Sequence, residues 1–163
     1  MAAKEVSVFF PSGFEHLKVL RGLVDKLSLD VDEVPTGSPY TFSAQRRREG
    51  EGYILVEYDP NAEDVVQELV EWERPSVAYK QILGRCVACV VVHYRQSEDL
   101  RRCLLALSEA IGEQSSVCVI ENGLGVLILL SIASKRMSAD ASWSIEREQF
   151  PEVAGVAGSE WVD

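Results

Sequence analysis

Apolar residues recur along the chain with two periods, and the two periods predict its elements. Val6, Val8 and Phe10 alternate with the polar Glu5 and Ser7, so residues 4–10 read as a strand that Pro11 stops. Phe14, Leu17, Leu20, Leu23, Val24 and Leu27 then fall at helical spacing, which predicts a helix over 13–28. Ser12-Gly13-Phe14-Glu15 has the spacing of a capping box at its start. Residues 29–34 read as a short strand. Residues 35–52 are the least regular stretch, with Pro35, Gly37 and Pro39, an edge strand over 40–45, and an exposed loop through Arg46-Arg47-Arg48. Residues 53–58 form a strand. Asp59-Pro60 opens a helix over 60–73, with an acid as cap and proline in the first turn, where its missing amide costs nothing. Ala62, Val65, Val66, Leu69 and Val70 are its apolar face, and Pro75 ends it.

Residues 77–83 read as extended. After Gly84, residues 85–94 are apolar on both faces, as in a central strand covered on each side. A third helix is expected over 97–111, with Ser97 as cap, Glu98 and Asp99 in its first turn and Gly112 as its stop. Leu100, Leu104, Leu107 and Ile111, with Cys103 beside them, face the core. Strands at 117–121 and 124–131 flank Asn122-Gly123, a hairpin dipeptide that tolerates positive φ at both positions. The Leu and Ile pattern of 126–137 fits a helix as an alternative. Residues 142–147 alternate around Trp143 and Ile145 as a last strand. The series predicts an α+β fold, with a mixed or antiparallel sheet and about three helices packed mainly on one face. One domain spans 1–150, and 151–163 form a loosely held tail.

Composition narrows the partners. The chain has 163 residues, enough to bury a core without disulfide or metal. Its 26 acidic residues outnumber 16 Lys and Arg, for a formal charge of −10. Such a surface repels phosphates, so neither nucleic acid nor an anionic membrane is expected as a partner, and cationic ones are favoured. No secretory signal is read at the N-terminus, and the most apolar run, 124–133, is too short to cross a bilayer. The reading is a cytoplasmic protein whose four cysteines, Cys86, Cys89, Cys103 and Cys118, pack as small hydrophobes.

Chemistry is sparse. Cys86-Val87-Ala88-Cys89 is a single pair in mid-strand, where residues three apart point to opposite faces and share no metal. Cys89 and His93 share a face but lie roughly 13 Å apart along a strand, too far for a catalytic pair. His16 sits beside Glu15 on a helix and reads as solvated. Gly123-Leu124-Gly125 is explained by turn chemistry rather than by a phosphate loop. Asp30, Asp32 and Glu33 lack the glycine and distal glutamate of a calcium loop and read as edge-strand charges. Glu121, between Ile120 and the turn, is the nearest case of an acid in an apolar run, but turns are normally wet. No catalytic residue, metal site or cofactor is read.

The most distinctive feature is a run of seven acids, Glu57, Asp59, Glu63, Asp64, Glu68, Glu71 and Glu73, in a stretch without Lys or Arg. Asp64, Glu68 and Glu71 fall on one helical ridge. Each like-charge pair at that spacing costs roughly 0.2–0.5 kcal/mol. Glu68, Glu71 and Glu73 also oppose the helix dipole at its C-terminal end. Trp72 lies beside them. Asp64, Glu68, Glu71 and Trp72 are therefore the candidate partner-binding residues of a non-enzymatic binding or inhibitory protein that docks a basic protein. Small size and acidity give it an immunity-like profile, a likeness of composition only. The alternative is an anion-binding or enzymatic domain with a pocket near the 35–52 loop, where Tyr40, Arg46, Arg47 and Arg48 would hold the anion.

Overall fold

The alternating segments pair into one sheet. The computed structural model describes residues 3–13, 15–31, 42–45 and 52–146. The chain runs through β1 (Lys4–Pro11), α1 (His16–Leu27), β2 (Asp30–Val31), β3 (Phe42–Gln45), β4 (Ile54–Asp59) and α2 (Glu63–Glu73). It continues through α3 (Val77–Leu83), β5 (Cys86–Tyr94), α4 (Ser97–Ile111), a 3-10 turn (Gly112–Val117), β6 (Val119–Glu121), β7 (Leu127–Leu129) and α5 (Leu130–Ala139). The strand order is β2-β3-β4-β5-β1-β6-β7, and every neighbouring pair is antiparallel. This is the expected α+β architecture, with an antiparallel sheet.

β5 is apolar on both sides because both sides are covered where it is apolar. Ala88, Val90, Val92 and Tyr94 join Val6, Val8 and Phe10 of β1 under α1, α4 and α5. On the reverse, Cys86 and Cys89 join Phe9, Val119 and Leu127 under Ala62 and Val66 of α2 and Tyr79 and Leu83 of α3. The α-helices among the described residues thus number five. Three, α1, α4 and α5, lie on one face, and α2 and α3 lie on part of the other.

Several local expectations change. Residues 77–83 are helical rather than extended: Ser76 Oγ accepts the Tyr79 amide at 3.3 Å, and Tyr79 and Leu83, four apart, are the buried positions. The capping box at 12–15 does not form. The Ser12 amide donates to the Arg85 carbonyl, Gly13 turns at φ 86°, and Glu15 opens α1 without a side-chain cap. Asp59 caps a turn, accepting the Asn61 amide at 2.8 Å, so α2 starts after Pro60 rather than on it. β3 lies between β2 and β4 and is not an edge. The segment at 124–131 divides, ending β7 at Leu129 and turning helical at Leu130, so both readings of it hold in part.

Asn122-Gly123 does not make a two-residue turn. β6 and β7 pair from Glu121↔Leu127, leaving residues 122–126 as the loop, in which only Gly123 and Gly125 have positive φ. Residues 140–146 form no strand. Asp140 holds the Ser142 amide at 2.8 Å in a turn, although Trp143 and Ile145 do point into the core. The expected tail at 151–163 lies outside the described residues.

Candidate partner-binding face

The side of the sheet that carries α2 and α3 has two halves. One half is the apolar cluster under those helices. Farther along the same strands the same register brings up charge. Glu5 stands directly opposite His93 across the β1–β5 ladder, Glu57 stands opposite Val91 across β4–β5, and Glu121 stands opposite Ser7 across β1–β6. His93 Nε2 is 2.6 Å from Glu57 Oε1, and its Nδ1 is 3.7 Å from Glu5 Oε2. Glu5 and Glu57 are exposed, and His93 is partly buried between them.

The 122–126 loop fixes Glu121. Its Oε1 accepts the Gly123 amide at 2.8 Å and the Gly125 amide at 3.3 Å. Asn122 is buried beneath: its Oδ1 accepts the Leu124 and Val126 amides, and its Nδ2 donates to the Ile145 carbonyl at 2.6 Å. Glycine is required because a Cβ at Gly123 would lie 2.7 Å from the Glu5 carbonyl oxygen. A Cβ at Gly125 would lie 3.3 Å from Glu73 Oε2, which places the last residue of α2 against this loop. The Glu121 carboxyl is raised above its ordinary range. Burial is the largest cause, the Gly123 and Gly125 amides oppose it, and the Glu73 and Glu5 charges add to it. The expected wet turn is therefore a half-buried one, because Asn122 ties it down to the core.

On α2, Asp64, Glu68, Glu71 and Trp72 all stand outside. Trp72 is 82% exposed and Val65 46%. Asp64, Glu68 and Glu71 make no ion pair with any described residue. Glu63 and Asp64 lie in the first turn, where the dipole favours acids, and no base lies in the last turn. The chain leaves α2 through Arg74 in the left-handed conformation. Acidic side chains thus run from the α2 ridge through Glu73 to Glu121, Glu5 and Glu57.

The chain matches no family model, no curated protein and no solved structure. Exposed carboxylates beside a nearly bare indole accept ammonium and guanidinium groups and offer a flat apolar anchor.

The cysteines take no part. A register shift between Phe10↔Ala88 and Pro11↔Cys86 skips Val87, so Cys86 and Cys89 share the same apolar cluster, contrary to the opposite faces expected of a regular strand. Burial pushes the Cys86 thiol up to about 12 and the Cys118 thiol to about 12. Burial, with the Asp59 charge, lifts Cys89 to about 11. Thiols held protonated in this way are poor nucleophiles and poor ligands. Among the described residues no three His, Cys, Asp or Glu side chains form a metal-binding set, and no helix is long and apolar enough to cross a membrane. Tyr40, Arg46, Arg47 and Arg48 lie outside the described residues.

Glu57 and Glu73 belong to the acidic run but were not among its candidate site residues, His93 was set aside with Cys89, and Glu5 was not singled out. Their signal was there in part, since Glu5 falls on a polar position of the alternating first strand and His93 is a polar residue in an otherwise apolar one. Strand order and register bring them together, and neither is written in local periodicity.

Proposed function

We propose that this chain is a non-enzymatic binding protein, inhibitory in the manner of an immunity protein, that docks a basic protein on the face formed by α2 and the open half of the sheet. One observation carries the reading: Trp72, 82% exposed, stands on a helix whose Asp64, Glu68 and Glu71 are exposed and without ion pairs among the described residues. A bare indole within such a charged surface is the arrangement of an interface anchor with steering charges around it. The formal charge of −10 supports a cationic partner and disfavours nucleic acid and anionic lipid. It also suits a cytoplasmic protein that meets its partner by diffusion.

The test uses the full chain and a short poly-lysine peptide carrying a fluorescent label, followed by stopped-flow anisotropy. Trp72→Ala is expected to weaken binding at least about tenfold. Glu68→Lys with Glu71→Lys is expected to slow association and flatten its salt dependence. Wild-type association rates and salt dependence in the charge-reversed variant would remove the α2 ridge from the interface.

A further inference from the structure

The imidazole of His93 and the carboxyl of Glu121 lie within the acidic face, and their charged neighbours among the described residues are acids. From β4, Glu57 Oε1 reaches His93 Nε2 at 2.6 Å; from β1, Glu5 Oε2 faces Nδ1 at 3.7 Å. Around Glu121, Glu5 faces it from β1 and Glu73 from the end of α2, while the loop supplies only the uncharged amides of Gly123 and Gly125. Arg95, the residue after β5, is held over the Tyr53 ring at 4.7 Å.

We propose that this cluster makes the docking face proton-gated: it presents its full negative charge at neutral pH and surrenders part of it on mild acidification, releasing a cationic partner. The inference rests on the docking reading above and adds its regulation.

The geometry gives the mechanism. A proton on His93 creates an imidazolium already in contact with Glu57 and near Glu5, so it cancels charge on two members of the face without any movement. A proton on Glu121 relieves its repulsion with Glu73 and Glu5 and leaves its second role intact, because a neutral carboxyl still accepts the Gly123 and Gly125 amides through one oxygen. Burial already disposes Glu121 to take that proton above the usual carboxylate range. A bound ammonium or guanidinium acts in the opposite sense, holding both groups deprotonated, so binding and proton release are linked. Because the face continues into α2 through Glu73, the charge lost on the sheet is lost from the surface that steers the partner.

The experiment measures the affinity of this chain for a poly-lysine peptide at constant ionic strength between about pH 7.5 and about pH 5.5. Wild type is expected to lose about tenfold in affinity across the span, the effect of two charges changing at one face. His93→Gln with Glu121→Gln keeps hydrogen-bonding side chains at both positions and is expected to reduce the loss to about twofold or less. Circular dichroism at both pH values checks that the variant is folded, and each single variant is expected to remove part of the dependence. Equal pH dependence in wild type and the double variant, or none in wild type, overturns the gate while leaving the docking reading standing. Absence of binding by wild type at the upper pH overturns the docking reading itself, and the gate with it.

Discussion

The two faces of the sheet are made by alternate residues of the same strands, and each holds a partly buried glutamate with the opposite response to its surroundings. On the face covered by α1, α4 and α5, Glu146 lies 3.1 Å from Lys4 Nζ beside Tyr94 and Ser97. Burial alone would raise it, but hydrogen bonds from Ser97, Lys4 and Tyr94 outweigh burial and hold it below the usual carboxylate range. On the other face Glu121 has two backbone amides and, among the described residues, no cation, with Glu73 and Glu5 as charged neighbours, and it is raised. Burial acts in the same direction on both. What differs is the neighbours: a lysine and two hydroxyls around Glu146, and among the described residues only carboxylates as charged neighbours of Glu121.

The largest test of this contrast compares deletion of an apolar side chain from each face. Leu104, on α4, is fully buried, and Leu104→Ala is expected to cost about 2–5 kcal/mol in urea denaturation. Trp72→Ala removes a larger side chain from α2, yet it is expected to change stability by no more than about 0.5 kcal/mol while binding falls. A loss of several kcal/mol at Trp72 would mean that the indole belongs to the fold and is not held out for a partner.

A second test concerns the loop that positions Glu121. Gly123 and Gly13 have similar φ, 80° and 86°, so alanine meets the same backbone strain at both, about 1–2 kcal/mol. Nothing lies within 4 Å of a Cβ at Gly13, whereas at Gly123 the Glu5 carbonyl stands in the way at 2.7 Å. Gly123→Ala is therefore expected to cost about 1–3 kcal/mol more than Gly13→Ala in thermal or urea unfolding. Equal costs would show that the loop gives way easily and does not hold Glu121 in place.

The glutamates themselves give opposite signs with pH. Glu146 has a lowered folded-state value, so its stabilisation is present above the ordinary carboxylate range and is lost as pH falls through the folded value. Glu146→Gln should cost about 1–3 kcal/mol at neutral pH and approach zero in acid. Glu121 has a raised value. Its charged form burdens the fold at neutral pH, and that burden lifts as pH falls through the folded value. Glu121→Gln should therefore leave neutral-pH stability unchanged or higher, with the difference from wild type again vanishing in acid. Melting curves of the two variants at several pH values read both signs, and a common sign would erase the distinction between the faces.

How much of this was legible depended on the range of the determining contact. The extent of α4, Ser97–Ile111, was readable because its apolar spacing, first-turn acids and Gly112 are all local, but its cap was not: Gln96 precedes the helix without a side-chain cap, and the Ser97 hydroxyl is engaged by Glu146. The exposed acids of α2 were readable for the same reason. Residues 77–83 misled because a single buried pair, Tyr79 and Leu83, is too short a helical signal to override flanking strand-like residues. The loop at 122–126 misled because Asn122 is committed to a distant carbonyl, that of Ile145, and so does not serve a tight turn. His93 and its acids were hidden most fully. Glu57 reaches His93 only because β4 and β1 flank β5, a topological fact that no window of sequence contains.

The smallest effect separates stability from function most sharply. In Glu68→Lys with Glu71→Lys, the Asp64–Glu68 repulsion at i, i+4 becomes an attraction, while positions 68 and 71 at i, i+3 remain like-charged. Glu71→Lys also places a cation in the last turn, where the native helix has none. Together these changes should raise stability by about 0.5–1 kcal/mol, reduced at high salt because the sites are exposed. The same substitutions should weaken binding to a basic peptide. A fold that gains while its binding declines shows residues kept against the interest of the helix. A variant that is both less stable and still able to bind would place the value of these acids within the chain, and the cationic partner would lose its main support.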